Sequence, residues 1–480
     1  MKPDTKNPLY DKYVLDWQMI SDVIAGERTI KGAGETYLPK LSGQSGEEYL
    51  AYVNRGSFFN ATSRTLQGLV GAIIRKDAEI EAPEILQETL VDVTTANQSI
   101  HEVIRFTADN VLSYGFFGIL VDRPKESPAN LPPYMALYKC TDILNWYTER
   151  INGEDRLLMI ALAEVEYQQD SEDPYILINK DIIRVCYIDK EDGYYKQKIF
   201  DKMEKPGANG DMWQERLEEI IPTKAGVFLE EIPFVFISAD GTFPIPSKPP
   251  LLDVGNLNIK HWQVSTDYYH GLHYCAIPTP WAAGFRIEGA LYIGSQKAWI
   301  SEDPQAKCGF LEFSGAGLLS MEKALDKLEK LMAVMGARLL EEQKMGVEAA
   351  EAIKLRISGD TATLSAIVQS VEEGIGKALT FMAWWMGIDQ EIIVRMSKDF
   401  VSQKLTPQDI TALLQAVQAG RISMDTFLYN LQAGEILPPD RSIQDEKDLI
   451  KSEAPVDEFS TDFSGATGAT GDRKITPIRK

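Results

Sequence analysis

Residues 251–275, LLDVGNLNIKHWQVSTDYYHGLHYC, and residues 318–342, LLSMEKALDKLEKLMAVMGARLLEE, decide the fold. The first reads as a long helix stopped by Pro278 and Pro280. The second places Leu325, Leu328, Met332, Met335 and Leu339 at three- and four-residue steps, with Glu322, Lys323, Glu329 and Lys330 between them, which is the pattern of an amphipathic helix. Between the two, Trp281–Phe313 is glycine-bearing and β-like. Gly346 interrupts after the second helix, and a further helix is predicted from Asp360 to Trp385, capped by Ser358 or Thr361.

Upstream, Tyr13, Trp17, Ile20 and Ile24 mark one face of a helix that Gly26 ends. The stretch GERTIKGAGETYLPKLSG reads as a loop, Glu47–Arg75 as helical, and Asn97–Tyr114 as a helix with Ser99 as cap, followed by the strand FFGILVD. From Pro132 to Ile237, runs such as YMALYKC, LLMIALAEVEY, YILINK, IIRVCYI and YYKQKIF are punctuated by Asn152-Gly153, Asp192-Gly193 and Pro206-Gly207. That pattern predicts an antiparallel β unit. KPGANGDMWQ reads as a mobile surface loop. Near the end, Thr406, Pro407 and Gly420 frame one short helix and Ser423 and Gly434 another. The polar, small-residue segment 456–480 is expected to be flexible. The fold class is α+β and mainly helical.

Composition narrows the function. The 480 residues carry 49 Lys+Arg against 71 Asp+Glu, a formal charge of −22, with 44% apolar residues. This is globular composition, so a fibrous repeat or wholesale disorder is excluded. No run reaches the ~18 apolar residues of a membrane span, and the start lacks an export pattern. Cys140, Cys186, Cys275 and Cys308 form no CxxC pair, which argues against a disulfide framework or zinc ribbon. Tight nucleic-acid binding draws on Lys and Arg neutralising phosphates, so a chain this acidic touches nucleic acid locally or not at all.

Catalytic signals are weak. Lys31 beside Gly32-Ala33-Gly34 hints at a phosphate cradle, but no GK[ST] follows and the setting is helical. Asp267, His270 and His273 are the one candidate metal cluster, which would make the chain a metal-dependent hydrolase; helical spacing spreads them over adjoining faces. No GxSxG or catalytic cysteine frame is present. The sequence therefore assigns no catalytic residue and calls for no cofactor. Lys344, Lys354 and Arg356 form a small cationic patch around Gly346.

The order of elements, with the strings LSYGFFGILVDRP, IPFVFISADG, PPLLDVGNLNIKHWQVSTDYYHGLHYCAIPTPWAAG and AGRISMDTFLYNLQAGEILP, resembles the portal (head–tail connector) proteins of tailed bacteriophages. AGERTIKGAGETYLPKL and RGSFFNATSRTLQGLVGAIIRK are similar to a podovirus-type branch described as a domain of unknown function. The resemblance implies a wing (1–245), stem helices (246–280 and 315–342), a clip (281–314), a tunnel loop (343–353), a helix returning to the wing (354–400), a crown (401–455) and a tail (456–480). It also implies a virion protein that is not an enzyme: a closed ring of about twelve copies at one capsid vertex, with a non-ring capsid-associated adaptor as the alternative. Sequence-independent duplex DNA would pass through the ring during packaging and ejection. Its partners would be the terminase large subunit, head–tail adaptor and tail proteins, and the major capsid and scaffolding proteins, with no membrane. Glu341, Glu342, Lys344, Lys354 and Arg356 would lie at the channel. Phe285, Tyr292, Trp299, Phe310 and Phe313, with Leu291, are too many apolar residues for a solitary ~30-residue insert to bury, and would make clip contacts.

Overall fold

A computed structural model describes residues 2–123, 131–170, 172–203, 212–217, 219–224, 226–276, 279–285, 299–311, 315, 317–336, 350–398, 400, 407–433, 436–437 and 441–453. The chain divides into two compact units, Met1–Phe400 and Val401–Lys480. The fold is α+β.

The first unit begins with α1 (Pro8–Ala25), α2 (Glu27–Ala33), α3 (Gly46–Arg55) and α4 (Ala61–Ile73). Asn7 caps α1 by accepting from Leu9 N at 2.9 Å, with Pro8 in the first helical position. Gly26, at φ +93°, ends α1 and lets α2 start at once, so the glycine-rich stretch read as a loop is partly helical. Ile30, buried on α2, supplies the packing that local propensity lacks. Glu47–Arg75 is two helices rather than one. The break falls at Gly56, whose hypothetical Cβ would sit 2.1 Å from Thr266 Oγ1, and Asn60 caps α4 by accepting from Ser63 N at 3.0 Å.

Strand β1 (Glu79–Glu81) and the short α5 (Glu84–Gln87) lead to α6 (Ile100–Tyr114). Ser99 caps α6 in a capping box with Glu102, as the sequence predicts. Gly115, left-handed at φ +69°, ends α6 where the Ser247 carbonyl approaches too closely for a Cβ.

The β unit comprises β2 (Phe116–Asp122), β3 (Tyr134–Lys139), β4 (Ile143–Ile151), β5 (Glu154–Gln169), β6 (Leu177–Ile188), β7 (Tyr195–Met203), β8 (Met212–Glu215), β9 (Thr223–Lys224), β10 (Val227–Phe228) and β11 (Phe234–Ser238). One antiparallel sheet runs β4-β5-β6-β7-β8 and another runs β11-β2-β3. Asn152 and Gly153 both take positive φ between β4 and β5, as a tight primed turn demands. The runs YILINK and IIRVCYI are one strand, β6, because β5 supplies a continuous partner from Gln169 to Met159. Met212–Gln214, read as loop, pairs in β8 with Met203–Asp201 of β7; Pro206-Gly207 lies outside the described residues.

The unit is completed by α7 (Leu252–Ala276), β12 (Thr279–Ala283), β13 (Lys307–Leu311), α8 (Leu318–Gly336), α9 (Ala350–Trp385) and β14 (Ile393–Arg395), which pairs with β1. α9 begins before Asp360, so neither Ser358 nor Thr361 caps it; both lie within the helix. Its Val368, Val371, Ile375, Ala378, Leu379 and Met382 are fully buried and form the centre of the main core with α6, β2 and β11. Gly374 lets β11 come close: a Cβ there would lie 2.4 Å from Ile237. Trp385 Nε1 donates to Val121 O at 3.2 Å.

The second unit holds α10 (Pro407–Gln418), α11 (Met424–Ala433) and α12 (Ile443–Glu453). Ser423 accepts from Thr426 N at 3.1 Å, which makes it the expected cap, and Gly420 is left-handed at φ +65°. Thr406 and Gly434 lie outside the described residues.

Candidate functional site

The first half of α7 is locked into the body of its unit. Asn258, fully buried, accepts from Thr62 N at 3.1 Å and Thr62 Oγ1 at 3.0 Å, and donates to Phe59 O at 2.8 Å. Trp262 beside it is 0% exposed. Past Thr266 burial is lost, and Tyr269 and Tyr274 are exposed.

The proposed metal cluster lies on this second half and does not assemble. Tyr52 Oη donates to Asp267 Oδ1 at 2.5 Å. Arg55 Nη1 is 3.1 Å from His270 Nδ1, so that nitrogen accepts, and its lone pair is committed. Burial first, then Arg55, holds His270 below the usual histidine range. His270 is edge-on to Tyr52 and Tyr274, while His273 meets only the Tyr274 edge among the aromatic contacts. Among the described residues no group of three His, Cys, Asp or Glu could hold a metal. The Gly32-Ala33-Gly34 cradle is absent too: Gly32 and Ala33 belong to α2, and Lys31 Nζ is 2.8 Å from Glu27 and 3.3 Å from Asn54 O.

α8 returns antiparallel to α7. Leu318 packs where Gly271 leaves room, Glu329 lies 3.3 Å from His261 Nε2, and Gly336 meets Thr65 of α4. The less exposed stripe of α8 includes Leu318, Met321, Leu325, Leu328, Met332 and Gly336. Met335, which periodicity places in that stripe, is instead 44% exposed. With Leu331 and Val334 it forms a second apolar patch that sequence reading missed, although its i, i+3, i+4 spacing was there to be seen. Leu339 lies outside the described residues.

Between α7 and α8, β12 and β13 form a two-stranded ribbon with Thr279 opposite Leu311 and Ala283 opposite Lys307. Trp281 (43%) and Phe310 (55%) are exposed, as are Leu311 and Ile300. Of the predicted clip residues, Phe285 and Trp299 are half-buried and Phe310 is exposed; Tyr292, Phe313 and Leu291 lie outside the described residues. Of the predicted channel residues, Glu341, Glu342 and Lys344 lie outside them, whereas Lys354 and Arg356 fall on the first turns of α9.

Residues 250–386 match a family model, Domain of unknown function (DUF4055). The match spans α7 through α9, and not the strings near residues 25–75 that carry the podovirus-type resemblance. No curated protein matches. Among solved structures, a chain from the virion of the native gene transfer agent (GTA) particle is 11% identical, with 85% of this chain and 99% of that chain covered at a TM-score of 0.41. A chain from the neck of the empty GTA particle, computed with C6 symmetry, is 10% identical, with 75% and 86% covered at a TM-score of 0.38.

The β unit also contains a buried ionic network that no motif announced. Arg184 Nε and Nη2 donate to Glu164 at 2.6 and 3.0 Å, Arg184 Nη1 donates to Gln197 at 2.7 Å, and Tyr138 Oη donates to Glu164 at 2.6 Å. Burial raises Asp122 above the usual carboxylate range, against the opposing pull of Gln197 and Arg184. Every member has a partner, so the network reads as a strut tying the β11-β2-β3 sheet to the β4–β8 sheet. All four cysteines are free thiols, and Cys186, pushed up to about 12 chiefly by burial, is no nucleophile. Among the described residues no helix is long and apolar enough to cross a membrane.

Proposed function

We propose that this chain is the subunit of a portal, the ring at one vertex of a phage-type capsid through which duplex DNA is packaged and later ejected. The observation that carries the reading is the α7–ribbon–α8 hairpin. It is anchored at one end by Asn258 and Trp262 and ends in a two-stranded ribbon. Among the described residues, the apolar side chains of Trp281, Phe310, Leu331, Val334 and Met335 are exposed. A two-stranded ribbon is marginal by itself in water, so a partner must complete it. Identical copies meeting side by side, with a rotation that closes, supply that partner.

On this reading α7 and α8 are the stem, residues 281–314 the clip, and residues 1–245, together with α9, the wing; residues 401–455 are the crown. The charge of −22 suits a conduit wall, because DNA is not held by dense phosphate contacts and slides. The subunit performs no hydrolysis: a terminase motor docks at the clip during packaging, and adaptor and tail proteins replace it. The test is native mass and negative-stain imaging of the full chain. Closed rings with a central hole wide enough for a duplex are the expected result. A compact single subunit at every concentration overturns the reading.

A further inference from the structure

Resting on the ring reading, we propose that α8 sets the direction and height at which one copy of the chain meets the next, through two charged rows of opposite sign. At about 100° per residue, Glu322, Asp326 and Glu329 lie in one row along the helix. Lys323, Lys327 and Lys330 lie in a second row about a quarter-turn away. All six side chains are exposed. Glu329 has a partner in its own chain, His261 at 3.3 Å; among the described residues the other five have no ion-pair partner within 4.0 Å. Each row stacks like charges at i, i+3 and i+4, which weakens an isolated helix. The pairs that would help the helix itself, Lys323 with Asp326 and Asp326 with Lys330, are not formed. The rows therefore contribute little to α8 within its own chain.

A second copy accounts for both rows. A heterologous contact joins two different patches of the same subunit, and here the patches are acidic and basic. Copies related by rotation about an axis along the helix run parallel and level. The rungs 322 with 323, 326 with 327, and 329 with 330 then differ in height by only about 1.5 Å, within reach of a lysine. The flanks also match beyond the charges. Lys327 continues into exposed Leu331 and Val334, and the acidic row continues into exposed Ala333, a small residue against which they can seat.

The test uses the full chain and spares Glu329, which also contacts His261. One variant carries Glu322→Lys and Asp326→Lys, so both flanks are basic; the other carries Lys323→Glu and Lys327→Glu, so both are acidic. Each alone is expected to lose closed rings by native mass at 100 mM salt while keeping its circular dichroism. A 1:1 mixture is expected to restore rings of alternating composition, and a chain with all four changes is expected to assemble by itself. If wild type closes into rings and both variants do so equally well, or if mixing rescues nothing, the charged rows are not the determinant and the ring reading survives. If wild type forms no ring, both proposals fall.

Discussion

Two long helices of the same unit, α8 and α9, meet opposite fates. α9 turns Val368, Val371, Ile375, Ala378, Leu379 and Met382 into a core that the chain itself closes on every side. α8 fully buries only Met332 and Gly336 among its described residues, and shows apolar side chains on two sides. Both carry helical apolar periodicity; what separates them is where the partners are. α9 finds α6, β2 and β11 within its own chain, whereas α8 has α7 on one side and, on the reading above, another copy on the other. Amphipathicity announces that a helix needs a partner, without saying in which molecule.

Four experiments press on this contrast. The largest effect is expected from deleting Phe285–Phe313 and bridging the gap with a short glycine–serine linker. Ring closure or motor docking should vanish while thermal unfolding of the wing stays near wild type; normal packaging by this deletion would defeat the clip assignment. Next, Leu379→Ala removes a fully buried side chain of α9 and should cost ~2–5 kcal/mol in urea unfolding. The matching change on α8, Leu331→Ala, should move monomer stability by less than about 0.5 kcal/mol yet lower the assembled fraction. Equal costs at the two sites would erase the distinction between the helices.

Gly374→Ala sharpens the α9 side. Helix propensity alone favours alanine by about 1 kcal/mol. The new methyl would sit 2.4 Å from Ile237, and overpacking of that kind costs ~1–3 kcal/mol. Net destabilisation is expected, and a rise in the urea midpoint would show that β11 yields more easily than the packing implies. The smallest effect concerns pH at the α7 side of the hairpin. The pKa of His270 is depressed in the folded state, so the unfolded chain takes up its proton first as pH falls. Stability present above the unfolded histidine value, about 6.5, is then lost as pH drops through the folded one. The thermal midpoint should fall more between pH 7.5 and 5.5 in wild type than in His270→Gln; identical slopes would remove His270 from the balance.

The parts of the fold legible in the sequence are those decided locally. Ser99 and Ser423 cap helices and Asn152-Gly153 turns a hairpin because each acts on backbone within three residues of itself. The misreadings share a tertiary cause. α2 exists because Ile30 is buried, the break after α3 exists because Thr266 of α7 occupies the space at Gly56, and β8 exists because β7 offers an edge. At the candidate site, the two helices and the ribbon between them were legible as elements. Which side of α8 is buried was not, because Met332 and Met335 look alike in sequence and differ only in exposure.

α7 is one unbroken helix from the Asn258–Thr62 lock to the exposed Tyr274 near the ribbon. With no proline between them, it forms a continuous lever along which a push at the ribbon is passed toward α4. On the portal reading proposed above, a motor or tail seated at the ribbon would be felt in the body of the subunit through this helix.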